Sequence, residues 1–295
     1  MDLQQFNDAA EFYERTKQFL IAHEATHNLI LGICAGLRGQ PGGDQLPYLA
    51  SITVGDAVVA AAVMTPPHNV VLSLTEEPDA LPLFAADCRA AGLDLPGVLG
   101  PALVSRAFAE LWCRPRGQPF RKSMALRIYQ LDTVQALSSV PGRLRRATSA
   151  DRDRLVAWLT AFGVETHDET AVDRIEQAVD RDLAGPTTTG LHVWDDGQPV
   201  SMAAAVGPTP HGIRINAVYT PPALRGRGYA RACVAALSQL MLDAGRRYCF
   251  LFTDLSNPTS NHIYRAIGYE AVCDMDEYTF PSSAAHKMAH ATRVS

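Results

Sequence analysis

The sequence predicts an α+β protein built from two similar halves, each a mixed, twisted sheet flanked by helices. Three observations predict it. Segments with the two-residue alternation of strands take turns with segments of helical period along the chain. A short motif also recurs: Ala60-Ala61-Ala62-Val63-Met64-Thr65-Pro66-Pro67-His68 returns as Ala203-Ala204-Ala205-Val206-Gly207-Pro208-Thr209-Pro210-His211, 143 positions later. Each copy ends a hairpin strand and precedes another strand, as in a duplicated unit. Finally, 295 residues with 47% hydrophobic and 19% charged side chains suffice for two cores of ordinary size.

In the first half, Phe12, Phe19, Leu20, Ile30 and Leu31 recur at helical spacing and predict a helix over 8–31. Gly36 to Pro47 reads as a loop. Tyr48–Val54 and Ala57–Met64 form a hairpin around Gly55-Asp56, and Val70–Leu74 is a third strand. Helices are expected at about 78–92 and 101–112, with Pro101 suited to a first helical position. Residues 121–131 alternate as a strand, and Ser138 to Gly142 is the linker. The domains expected from this are 1–138 and 143–282, with a loose tail over 283–295.

The second half restarts the same plan. Thr148 and Asp151 form a capping pair for a helix whose apolar face is Leu155, Trp158, Leu159 and Phe162. A second helix covers about 168–183. Strands follow at 190–194, 199–206 and 212–220, with a hairpin turn at Asp195-Asp196-Gly197. A long helix runs from about Gly226 to Gly245. Tyr248–Thr253 is a strand, 258–267 a helix, and Tyr269–Phe280 one or two closing strands.

The stretch from Ile215 to Ala230 carries the chemistry. A β-branched strand is stopped by Pro221-Pro222, and Arg225-Gly226-Arg227-Gly228-Tyr229-Ala230 opens a helix. Unpaired N–H groups at a helix start converge on one point, where the macrodipole favours negative charge. Gly226 and Gly228 let a phosphate approach the backbone, and Arg225 and Arg227 add fork-shaped donors. A dinucleotide fingerprint would need a glycine where Arg231 stands, and a P-loop would need Lys-Ser/Thr. What remains, R/Q-x-x-G-x-G/A, resembles the coenzyme A loop of the GCN5-related N-acetyltransferases (the GNAT family). A second stretch, Phe250 to Tyr269, resembles the family's strand and helix ending in N-x-x-x-x-x-x-Y-x-x-x-G-F/Y, here Asn257, Tyr264, Gly268 and Tyr269. Asn257, Asn261 and Tyr264, spaced by four and three, share one helix face.

The resemblance implies two tandem GNAT-like domains, of which the second, catalytic one transfers an acetyl group from acetyl-CoA, without a metal, to a primary amine of a small-molecule acceptor by direct attack. Arg225 through Ala230 would hold the pyrophosphate. Val218, Tyr219 and Thr220 would offer main-chain groups to the pantetheine arm or the carbonyl oxygen, Asn257 and Asn261 would bond that arm, and Tyr264 would be the general acid. Glu165 or Asp168 is the candidate base. In the first half the loop position is expected at Gly92–Pro101, where glycines stand without Arg or Lys and beside Asp94, so that half is expected to bind no pyrophosphate.

A formal charge of −5 and the lack of any basic run argue against a nucleic-acid partner. The six cysteines, scattered without a C-x-x-C pair, fit a reducing compartment. With a polar, acidic N-terminus and no apolar run of bilayer length, a soluble cytoplasmic protein is expected. Two rival readings stand. His23-Glu24-Ala25-Thr26-His27 matches the H-E-x-x-H pattern of zinc hydrolases, although His23 and His27 share the helix face of Phe12, Phe19 and Ile30, and His68 or an acidic residue would have to complete the set. The other is an acyl-CoA-binding or sensor protein without turnover.

Overall fold

The computed structural model describes residues 1–38, 46–166, 171–185 and 189–281. The expected tail and Asp168 lie outside them. The chain divides into two compact units, Met1–Ile128 with Thr253–Asn257 and the stretch from Val272 onward, and Tyr129–Phe252 with Pro258–Ala271.

In the first unit the chain runs β1 (Asp2–Gln5), α1 (Ala9–Ala22), α2 (Asn28–Leu37), β2 (Tyr48–Val54), β3 (Ala57–Met64), β4 (Val70–Leu72), α3 (Ala80–Ala90), β5 (Gly97–Pro101), α4 (Ala102–Cys113) and β6 (Arg121–Leu131). Alternation along β3 divides its residues between two cores. Ala60 and Ala62 join Phe84, Phe108 and Trp112 of α3 and α4. Ala61 and Val63 face Phe12, Leu20, Ile30 and Leu31 of α1 and α2. A sheet lined by alanine lets both helix layers approach closely, which is what the Ala-rich repeat encodes. Pro101, expected as the first helical residue, instead ends β5 and stands as the N-cap of α4, which begins one position later at Ala102.

The helix expected over 8–31 is two helices. After Ala22 the backbone leaves helical geometry at His23 (φ −129°, ψ 54°), and α2 begins only after His27. His23 and His27 therefore do not sit one turn apart on a single helix. His27 is buried, its Nε2 accepts from the Leu74 N–H at 3.0 Å, and its Nδ1–H donates to the Leu20 carbonyl at 3.0 Å. Both ring nitrogens are thus used by the backbone, which overturns the zinc-ligand reading: a metal ligand must offer a free lone pair. Among the described residues no three His, Cys, Asp or Glu side chains gather as a metal site.

Burial, assisted by repulsion from His23, lowers the His27 pKa to about 4. The group stays neutral in the fold but titrates near 6.5 when unfolded. Between these values the unfolded chain binds more protons, so this contribution is complete above pH 6.5 and is lost as pH falls towards 4. A shift of this size corresponds to about 3 kcal/mol. We expect His27→Gln to flatten the acid limb of stability between pH 6.5 and 4 in denaturant titrations. An unchanged slope would place the titration elsewhere.

The second unit runs β7 (Arg143–Arg146), α5 (Arg152–Thr166), α6 (Val172–Ala184), β8 (Gly190–Asp195), β9 (Pro199–Val206), β10 (Gly212–Tyr219), α7 (Tyr229–Asp243), β11 (Tyr248–Asp254) and α8 (Pro258–Ile267), before the closing strand β12 (Glu270–Thr279). The strand order is β7-β8-β9-β10-β11. One face packs under α5 and α6 through Leu155, Val179, Val193, Met202, Ala204 and Tyr219. The other packs under α7 and α8 through Ala203, Ala205, Ile213, Val234, Leu237 and Ile267.

The closing strand does not stay with the second half. Met275–Thr279 pair antiparallel with Pro101–Gly97, and Tyr278 and Phe280 enter the core of α3 and α4. Phe280 stacks on Trp112 with centroids 6.4 Å apart. In exchange, Tyr129 and Leu131 at the end of β6 are buried in the α7–α8 core. The unit boundary thus departs from the division at 138–143 that sequence order suggests.

The order β4, α3, β5, α4 in the first unit repeats β10, α7, β11, α8 in the second. The counterpart of the Arg/Gly loop is therefore Ser73–Asp79, not Gly92–Pro101. Gly97 and Gly100 belong to β5 and serve close strand packing, since a Cβ at Gly97 would lie 2.2 Å from the Tyr278 carbonyl oxygen. The true counterpart contains Glu76, Glu77 and Asp79 and no Arg or Lys. Its carboxylates would repel a pyrophosphate.

Candidate functional site

The site of the second unit begins where β10 leaves its neighbours. β10 pairs in parallel with β11 only through Gly212–Arg214 against Tyr248–Phe250. On its other side the register with β9 shifts between Asn216 and Tyr219, and Ala217 takes φ +50°. A bulge of this kind bends the strand and re-aims its backbone groups. β10 thus diverges from β11 over its last residues, and Val218 lies within the irregular stretch. The end of the strand is held by Ser201, whose hydroxyl donates to the Tyr219 carbonyl at 3.1 Å and lies 2.8 Å from the Thr220 hydroxyl.

Beyond Thr220 a short 3-10 turn, Pro222–Leu224, leads to Arg225. Gly226 and Gly228 adopt φ +77° and +83°, so α7 starts at Tyr229 rather than near Gly226. These left-handed turns cost glycine little and a Cβ-bearing residue about 1–2 kcal/mol. A Cβ on Gly228 would also press on Val140 Cγ2 at 3.2 Å. No side chain caps α7. Its first N–H groups, up to Arg231, precede the first helical bond, from Ala232 N–H to the Gly228 carbonyl. An uncapped helix start behind two glycines leaves backbone donors that can receive an anion.

The expected site residues divide by role. Gly226, Gly228, Tyr229 and Ala230 contribute backbone. The Tyr229 side chain is turned away, its hydroxyl donating to Asp196 Oδ2 at 2.8 Å. Arg227 is exposed, within reach of the Ala223 carbonyl at 3.5 Å and of the Tyr229 hydroxyl. Arg225 is tied back: its Nε donates to the Thr220 carbonyl at 2.8 Å, and its guanidinium meets Glu165 at 2.6 Å and lies 5.7 Å from the Tyr219 ring centre. Glu165, the candidate base, is therefore an ion-pair partner, and protonating it would break that pair.

On α8 the three polar residues do not form one exposed stripe. Asn261 is buried, and its Oδ1 accepts from the Tyr129 hydroxyl at 3.0 Å. Asn257 is exposed just before α8, in the stretch that groups with the first unit. Tyr264 is 7% exposed, its ring edge-on to Tyr269 at 6.1 Å. Among the described residues no group hydrogen-bonds its hydroxyl, and burial raises its pKa to about 12. It is a phenol kept protonated and not engaged elsewhere, as a proton donor requires.

Three residues outside the sequence-derived set complete the site. Ser201 sits in a strand of small residues and gives no sequence signal. Asp196 is legible only as a turn residue. Trp158, expected as packing, contacts the Tyr219 ring at 6.2 Å and brings α5 against the end of β10.

Residues 152–269 match the model of the acetyltransferase (GNAT) family. The curated proteins contain no match. Among solved structures, a GCN5-related N-acetyltransferase from Sphaerobacter thermophilus is similar, with TM-score 0.60 and 15% identity over 95% of this chain and 96% of that one. A GNAT-family acetyltransferase from Colwellia psychrerythraea gives 0.56 and 11% over 95% and 100%. A tandem GNAT protein from the clavulanic acid biosynthesis pathway gives 0.52 and 12% over 95% and 98%. At these identities the structures speak for the fold, and the family model speaks for the segment that carries the anion loop and Tyr264. Residues 152–269 thus form an acetyltransferase domain of the GNAT family.

Proposed function

We propose that the second unit transfers an acetyl group from acetyl-CoA to a primary amine of a small-molecule acceptor by direct attack. The observation that carries this reading is the uncapped start of α7, placed behind two left-handed glycines at the diverging end of β10. The N–H groups of Gly228 to Arg231 suit a pyrophosphate, with the exposed Arg227 adding charge. Val218, within the bulge and past the pairing to β11, would offer its backbone groups to the pantetheine amides or the carbonyl oxygen, while the Tyr219 and Thr220 carbonyls are held by Ser201 and Arg225. The thioester supplies an activated acyl group. As the neutral amine nitrogen forms its bond to the carbonyl carbon, the C–S bond breaks and Tyr264 gives its proton to the sulfur; the proton shed by the acylated nitrogen leaves through water, which restores the phenol.

A thiol-release assay with acetyl-CoA across small amines, aminoglycosides and peptide N-termini tests the reading. Turnover with a member of that panel is the expected result. Tight acetyl-CoA binding with no thiol released would make the protein a binding module instead.

A further inference from the structure

The Arg225 side chain does not point its donors at the start of α7. We propose that Arg225 and Glu165 are a positioning pair, tying the cofactor loop to the C-terminal turn of α5, and that the Arg225 side chain serves α5 rather than the pyrophosphate. The inference rests on the acetyl-CoA reading of the loop.

Several contacts already use the guanidinium. Nε is given to the Thr220 carbonyl, a terminal nitrogen to Glu165 Oε1, and the cation lies by the Tyr219 ring. Reaching a phosphate on α7 would break the first two contacts. Trp158 and Glu165 are seven residues apart, two helical turns, so they lie on the same face of α5. Trp158 meets Tyr219 and Glu165 meets Arg225. That face is thus held at two points along one line, from the end of β10 to the loop. The side matters because α7 and α8 cover one face of the sheet, while α5 and α6 cover the other. With the nucleotide held at α7, an amine has to approach the diverging end of β10 from the α5 side. The pair therefore links the element that holds the acyl donor to the one that borders the acceptor.

The pair is about half exposed, at 46% and 44%, so its effect is modest and local. The test combines hydrogen exchange of the α5 amides with calorimetric acetyl-CoA binding in Glu165→Gln, Arg225→Gln and the double variant. Each single change is expected to speed exchange over residues 160–166 by about twofold to fivefold. The double variant should add little, because both changes remove one interaction. Arg225→Lys should restore part of the protection, since an ammonium can meet Glu165 but lacks the fork to hold Thr220 as well. Acetyl-CoA affinity should stay within about twofold in every variant. A tenfold loss of acetyl-CoA affinity in Arg225→Gln but not in Glu165→Gln would make Arg225 a pyrophosphate ligand and overturn the proposal. So would unchanged α5 exchange in both. Failure of the wild type to bind acetyl-CoA would instead strike the reading of the loop, while the exchange comparison would still judge the pair.

Discussion

Tyr264→Phe is expected to lower kcat by about 10²–10⁴-fold, the range for removing a positioned general acid, while leaving acetyl-CoA affinity nearly unchanged. The expectation rests on what the hydroxyl does not do in the fold. Among the described residues it has no hydrogen-bond partner, so its removal breaks no bond, and the ring keeps its edge contact with Tyr269. Stability should therefore stay close to that of the wild type, and a fall in rate would report chemistry. Burial raises the phenol to about 12, so its own ionisation should not shape a rate profile below about pH 11. The same dry surroundings make a departing thiolate more basic than its usual value near 8.5, which favours the proton transfer. Near wild-type turnover by the phenylalanine variant from pH 6 to 9 (about three units around the thiol value) would make Tyr264 a packing residue.

The second large effect concerns Gly228. Acetyl-CoA at a hundredfold excess over Kd should stabilise the wild type by about 2.7 kcal/mol. Gly228→Asp should abolish that gain. The left-handed φ of +83° resists a side chain, Val140 stands 3.2 Å from the new Cβ, and the carboxylate repels phosphate at the start of α7. Glu77→Gln, in the acidic counterpart loop of the first unit, should leave the gain intact. Thermal unfolding with and without acetyl-CoA reads both. A gain that survives in Gly228→Asp would move the pyrophosphate away from this loop.

Much of this was legible because local chemistry and final position agree. The bounds of β2 and β3 follow from alternation around Gly55-Asp56. The Thr148–Asp151 box is formed with both of its bonds. The Arg/Gly loop announces itself through residue types that have few other reasons to stand together. Other features have causes no local pattern carries. Alternation says that 270–279 is a strand but not whose sheet it joins, and Tyr278 and Phe280 find their partners at Phe120 and Trp112. The break at His23–His27 has neither Gly nor Pro to mark it. It is fixed by His27 reaching Leu74, 47 positions away. Glycines mark the wrong stretch of the first unit, because the counterpart loop is acidic and is recognisable from the order of elements around it. Arg225 reads as a phosphate donor in the sequence because its partner, Glu165, lies 60 positions upstream.

The most direct measurement of the central claim is a calorimetric titration of acetyl-CoA into the full chain. With a cationic loop in the second unit and an acidic counterpart in the first, one acetyl-CoA should bind per chain, and none after Gly228→Asp. Two acetyl-CoA molecules per chain, or one that persists in the variant, would contradict the account.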